Sequence, residues 1–188
     1  MMVYLKALTV TLFSILLLSC ASMGDESVAE KRLAIIEMKE AALKQLYQKR
    51  PDIRSQLQSA PGYAVFANAN INLLVVSGGA GYGVVWDKQQ AKHTYMNMAE
   101  GGLGLGLGVK DYRIVIVFHK VEALNRFINS GWTFGGNADA AVKANDKGLS
   151  FEGEAYYGNV TVYTFTKSGL ALQAVIKGTK FWVDDELN

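Results

Sequence analysis

The sequence predicts an α+β fold: N-terminal helices packed on a strongly curved, mostly antiparallel, glycine-rich sheet, with closure into a barrel as the limiting form. Three observations predict it. Apolar residues at helical spacing precede a breaker at Ala60-Pro61-Gly62. Beyond the breaker come runs rich in Val, Ile, Tyr and Phe, parted by Gly, Asp, Asn or Lys. Two tracts then place glycine at every second residue, Gly79-Ala80-Gly81-Tyr82-Gly83 and Gly102-Leu103-Gly104-Leu105-Gly106-Leu107-Gly108. With 188 residues, 50% of them hydrophobic, the chain suits one domain with a real core.

The chain divides into a signal peptide (1–19), a tether (20–27) and a domain (28–188). Lys6 is the only charge before the apolar run Ala7 to Leu18, which is short for a membrane span and fits a signal-peptide core. Leu17-Leu18-Ser19-Cys20 resembles a bacterial lipobox. That resemblance implies cleavage before Cys20 and covalent diacylglycerol and acyl chain on its sulfur. Two or more chains anchor a protein stably, whereas one alone binds marginally. Ala21 follows the modified position, where Asp would retain the protein at the inner membrane. The expected location is therefore the cell envelope, lipid-anchored and, in a diderm host, at the outer membrane facing the periplasm. Cys20 is the only cysteine, so no intramolecular disulfide can form.

Ala21 to Ser27 are small and polar. Val28 to Lys49 should be helical, with Ile35, Met38, Ala42, Leu43 and Leu46 on one face. Pro51-Asp52 suits the first turn of a second helix reaching Gln58. Lys39, Lys44, Lys49, Arg50 and Arg54 gather on these helices, and interleaved Glu30, Glu37 and Glu40 make a solvated face the simplest reading. Strands are expected at Leu73–Trp86, Thr94–Met98, Leu103–Val109, Tyr112–His119, Leu149–Tyr157, Val160–Thr166 and Leu170–Lys177. Val121, Leu124, Phe127 and Ile128 predict one intervening helix, closed at Gly131. Tyr112 to Phe118 is almost wholly apolar, so that strand should be central and covered on both faces.

In an extended strand, Gly79, Gly81 and Gly83 share a face, as do Gly102, Gly104, Gly106 and Gly108. A bare face admits another backbone or a ring unusually closely. Strong bending at the corners of a closed sheet is the other expectation.

Little points to catalysis. Neither tract has the Gly-x-Gly-x-x-Gly or Gly-Lys-Ser/Thr pattern that cradles phosphate at a helix N-terminus. The two histidines, His93 and His119, are far apart and no Gly-x-Ser-x-Gly elbow occurs. Zinc or nucleophilic chemistry needs more ligands or a paired base, so no catalytic residue, metal or cofactor is assigned. Glu152 and Glu154 would share a strand face, but a wet face explains them more simply than sugar hydrolysis. Asp184-Asp185-Glu186 reads as a solvated tail. A formal charge of +2 without a concentrated basic face argues against nucleic acid.

The mature sequence resembles the SYLF domain. Ala42-Leu43 opens the match, followed by Ala60-Pro61-Gly62-Tyr63-Ala64-Val65-Phe66 and the glycine blocks Gly78 to Val84 and Gly101 to Gly106. Val115 to Phe118 lead into Leu124 and Phe127. Tyr163-Thr164-Phe165-Thr166-Lys167-Ser168-Gly169-Leu170, with Gly178 beyond, resembles the closing motif. Departures are Ala67 where proline is frequent, Leu172 and Gln173 where small residues are usual, and an end at Asn188 without the aromatic-glycine close. The resemblance implies a non-catalytic, lipid-binding domain in a lipoprotein, with membrane phospholipid as partner. Phosphoinositide specificity does not carry over, because those lipids are eukaryotic. Phe165 and Lys167 share a strand face, ring beside ammonium, and are the lipid-contacting candidates; the equal alternative is that Phe165 is core and Lys167 emerges from the strand end. The alternative is a cell-envelope structural or protein-interaction module without a lipid ligand.

Overall fold

A computed structural model describes residues 27–133, 154–157, 159–166, 169–170 and 179–188. Helix α1 is Val28–Lys49. It starts where Ser27 and Glu30 satisfy each other's backbone: Ser27 Oγ accepts from Glu30 N (3.3 Å), and the Glu30 carboxylate accepts from Ser27 N (2.8 Å). Its buried stripe is Ile35, Met38, Ala42, Leu43 and Leu46, joined by Lys39. Helix α2, Ile53–Ser59, adds Ile53 and Leu57. Helix α3, Val121–Ser130, buries Leu124 and Phe127 and stops at Gly131. Gly131 has φ +64°, and a Cβ there would lie 2.1 Å from the Phe181 carbonyl oxygen, so only glycine fits.

The seven strands are β1 (Gly62–Asp87), β2 (Lys92–Phe118), β3 (Trp132–Thr133), β4 (Glu154–Tyr157), β5 (Val160–Thr166), β6 (Gly169–Leu170) and β7 (Thr179–Val183). All pair antiparallel in one sheet ordered β3-β7-β2-β5-β4, with β1 on β2 and β6 on β5. That path has two ends, so among the described residues the sheet is open and not a closed barrel. β1 and β2 form one ribbon far longer than the usual strand of about 5–6 residues, paired from Asp87↔Lys92 to Gly62↔Phe118. Its near half, Met96–Glu100, pairs with β7; its far half, Tyr112–Phe118, pairs with β5.

Two cores flank this sheet. The outer core holds Val65, Ala67, Val84, Tyr95, Val115, Val117, Tyr163 and Phe165 beneath α1 and α2. The inner core holds Ala64, Phe66, Val85, Met96, Met98, Ile114, Ile116, Phe118, Val162 and Phe181, plugged by Leu124 and Phe127 of α3. Ile114 to Phe118 are therefore buried on both faces, as a central apolar strand should be. The ribbon also turns over along its length. Inward residues of β1 are even-numbered in its first half (Ala64, Phe66) and odd in its second (Val85). A register shift between Leu74 and Val76 gives β2 one extra residue, so the inward residues of β2 are even on both sides of it: Met96 and Met98, then Ile114, Ile116 and Phe118.

Some expectations need correcting. The strands read separately at Thr94–Met98, Leu103–Val109 and Tyr112–His119 are one strand, because glycine bends a ladder without ending it. β1 likewise begins at Gly62 and not Leu73. β7 was not expected at all. Lys39 is 5% exposed and not on a solvated face. Asp184 is not part of a loose tail: its carboxylate accepts from Asn97 Nδ2 (2.9 Å) and from the Glu186 and Leu187 amides (3.0 and 3.2 Å). Asn188 then extends the sheet by a side chain. Its Oδ1 accepts from Tyr95 N (3.0 Å) and its Nδ2 donates to Tyr95 O (2.8 Å). Glu152 and parts of the strands expected at Leu149–Tyr157 and Leu170–Lys177 lie outside the described residues.

Candidate functional site

Cys20 and Lys167 lie outside the described residues. Phe165 does not reach a head-group boundary. It is 0% exposed, pairs with Arg113 across β5–β2 and packs in the outer core with Tyr163 and Val115. The apolar environment that a lipid would have supplied is supplied by the outer core, to which α1 contributes Ile35, Met38, Ala42, Leu43 and Leu46.

Gly79, Gly81 and Gly83 line the inner face of β1, where the two halves of that strand meet. A Cβ at Gly81 would lie 2.2 Å from the Ala67 carbonyl oxygen, and one at Gly83 2.3 Å from that of Val65. At Gly79 it would lie 2.9 Å from both the Ala69 carbonyl oxygen and Asn68 Oδ1. The halves approach backbone to backbone, a geometry suited to weak Cα–H···O contacts. In the second tract, Gly102, Gly106 and Gly108 pair with Ser77, Leu74 and Asn72, and Gly104 falls at the register shift.

A polar bridge ties the same halves together. Tyr112 OH accepts from Asn68 Nδ2 (2.7 Å) and donates to the Glu100 carboxylate. Burial, with Glu100 beside it, pushes the Tyr112 phenol well above its ordinary range. A second cluster lies under α1. Lys39 Nζ sits 3.3 Å from His93 Nε2 and 3.0 Å from Glu40 Oε1, and Trp86 packs on the His93 ring at 4.6 Å. Burial, and then Lys39, hold the His93 imidazole below its usual pKa. Burial, and then Glu40, push the Tyr63 phenol up to about 12. These groups join helix to sheet. His119 is exposed, 2.6 Å from Thr161 Oγ1. Among the described residues, no group of three or more His, Cys, Asp or Glu could hold a metal.

The outer face of β1–β2–β7 is different. Tyr82 pairs with Asn97 and Asn97 with Trp182. Since Met96, Met98 and Phe181 point inward, Tyr82, Asn97 and Trp182 form one outward row, with Ala80, Ala99 and Lys180 as the next. Tyr82 and Trp182 are among the large hydrophobic side chains left exposed. Sequence reasoning missed this row because β7 was missed. The alternation of Phe181, Trp182 and Val183 was the available signal.

The molecule is thus an α+β domain built on one folded ribbon, with Tyr82 and Trp182, exposed among the described residues, on one sheet face. Residues 99–188 match the family model described as "Las17-binding protein actin regulator" (Ysc84). The chain is also 32% identical over 165 residues to Beta cell expansion factor A of Aeromonas veronii. That alignment covers 88% of this chain and 62% of the relative's length. Residues 99–188 thus match the SYLF-domain family, and the 32% identical relative is consistent with that match. No helix among the described residues is long and apolar enough to cross a membrane.

Proposed function

We propose that this chain is a lipid-anchored protein of the bacterial cell envelope whose SYLF domain contacts phospholipid and carries out no catalysis. One observation carries the reading: the capping box that opens α1 stands at Ser27, seven residues past the lipobox cysteine Cys20. At ~3.3–3.6 Å per residue, such a tether reaches no more than about 25 Å. A domain with a lipidated Cys20 is held against the bilayer, facing the periplasm if the membrane is the outer one. Membership of a lipid-binding domain family supports the same reading. The family model's printed description is a protein-binding role, and it favours a second reading, an envelope protein-interaction module.

The experiment has two arms. Cys20→Ser in the full chain should leave the protein unprocessed or release it from the membrane pellet; correct processing with retention in the pellet would refute the anchor. The unlipidated chain Ala21–Asn188, which contains every described element, should float with vesicles of phosphatidylglycerol and phosphatidylethanolamine, and less at high salt. If it ignores all vesicles, the anchor alone holds it at the membrane and the protein-interaction reading takes its place.

A further inference from the structure

We propose that the row Tyr82–Asn97–Trp182, with Lys180 in the row beside it, is the surface by which the domain rests on the head-group layer of an anionic bilayer. The inference rests on the anchored, lipid-contacting reading above and names the face that such contact would use.

The chemistry of the row comes first. Tyr82 is 46% exposed and Trp182 39%, although Met96, Met98 and Phe181 on the opposite face of the same sheet are almost fully buried. Two strand spacings separate them, so their Cα atoms stand about 10 Å apart across the sheet. Around them the floor is low. Ala80 and Gly78 are exposed, Ala99 is half-buried, and a Cβ at Gly101 would meet nothing within 4 Å. Two rings therefore project from a flat surface of small residues. Rings with an apolar body and a polar tip settle at a water–lipid boundary, where the N–H or O–H stays hydrated. Lys180 is exposed in the next row. Its stem can lie along the apolar surface while its ammonium meets phosphate, worth ~1 kcal/mol near an anionic surface. Asp184, the acid two residues past Trp182, has its carboxylate occupied by Asn97 and by two backbone amides.

The tether supplies the occupant. Its folded end is the N-terminus of α1, and that end is fixed to the turn following β7. Lys31 Nζ pairs with Glu186 Oε1 at 3.2 Å, Arg32 Nε donates to Leu187 O at 2.9 Å, and the Arg32 guanidinium covers Tyr95 at 5.6 Å. Tyr95 is two residues from Asn97 on the same outward face. The anchored end of the domain and the ring-bearing row thus share one end of the β1–β2–β7 sheet. A tether of ~25 Å or less brings that end to the membrane before any other.

The test uses the unlipidated chain Ala21–Asn188 with phosphatidylglycerol/phosphatidylethanolamine vesicles. In a Trp86→Phe/Trp132→Phe background, Trp182 emission should shift to the blue on binding and be quenched by phospholipids brominated near the glycerol. The Tyr82→Ser/Trp182→Ser variant, changed only at exposed positions, should keep its melting temperature and lose about tenfold or more in vesicle partitioning. Lys180→Glu should lose the dependence on anionic lipid. If the parent chain binds but Trp182 is not quenched and the double variant binds as well as the parent, the face is wrong while the lipid-contacting reading stands. If the parent chain binds no vesicle, both fall, and capture of a protein through the same row would make it a protein-docking face.

Discussion

Lys39 and His93, 54 residues apart, meet across the boundary between α1 and the ribbon, Nζ to Nε2 at 3.3 Å. The ammonium can only donate, so the imidazole must present a lone pair and be neutral. Burial and the Lys39 charge both oppose its protonation. The folded-state pKa is thus lower than the unfolded one, and the folded protein binds fewer protons. Stability from this contact is complete above about pH 6.5 and is lost as pH falls through the depressed folded value. Urea midpoints measured between pH 7.5 and 5 should fall with acid, and His93→Gln should flatten that slope. An unchanged slope in His93→Gln would assign the acid sensitivity to other groups.

Gly81 and Gly101 lie in the two strands of one ribbon and should respond oppositely to one methyl group. At Gly81 the new Cβ meets backbone oxygen at 2.2 Å, while at Gly101 it meets nothing within 4 Å. Gly81→Ala should cost ~1–3 kcal/mol or more, since backbone must move to admit the atom. Gly101→Ala should stay within about 0.5 kcal/mol. Chemical denaturation of both variants checks the pair, and equal effects would mean that the halves of β1 do not meet this closely.

Tyr112→Phe removes the hydroxyl between Asn68 and Glu100 while leaving the ring. Asn68 is 1% exposed, and its amide N–H would lose its acceptor. The expected cost is ~1–3 kcal/mol, the range for a buried polar group left unpaired. A combined Asn68→Leu/Tyr112→Phe variant should cost less than the sum of the single changes, and simple additivity would show that the two groups do not interact.

Phe165→Ala separates the core role from the lipid role directly. A fully buried phenylalanine should cost ~3–5 kcal/mol on truncation, read as a lower denaturation midpoint. Unchanged stability with weakened vesicle binding would instead restore Phe165 as a lipid contact.

Much of the fold was legible because its signals are local. The α1 stripe from Ile35 to Leu46, the Pro51 break and the Gly131 stop each announce themselves within one or two turns. The two-sided burial of Ile114 to Phe118 follows from an unbroken apolar run. The rest depends on partners distant in sequence. Nothing near Phe165 in sequence reveals the outer core it joins, so a ring beside a lysine read equally well as a boundary pair or as core. Lys39 looked solvated because its partner His93 lies on another element. The exposed row escaped notice because Tyr82 and Trp182 are neighbours only through Asn97, and that requires β7 to be in place.

The register shift between Leu74 and Val76 sets a reading frame for side chains. Upstream and downstream of it, the two strands count residues out of step by one, and that offset keeps Met96 and Met98 inward opposite a strand that has turned over. Removing one residue between Leu103 and Gly106 would bring the strands into step. The side chains from Lys92 to Glu100 would then change faces together, with Asn97 turned inward and both methionines turned outward. A loop of the same length would absorb such a deletion; here a single residue governs the inside and outside of half a domain.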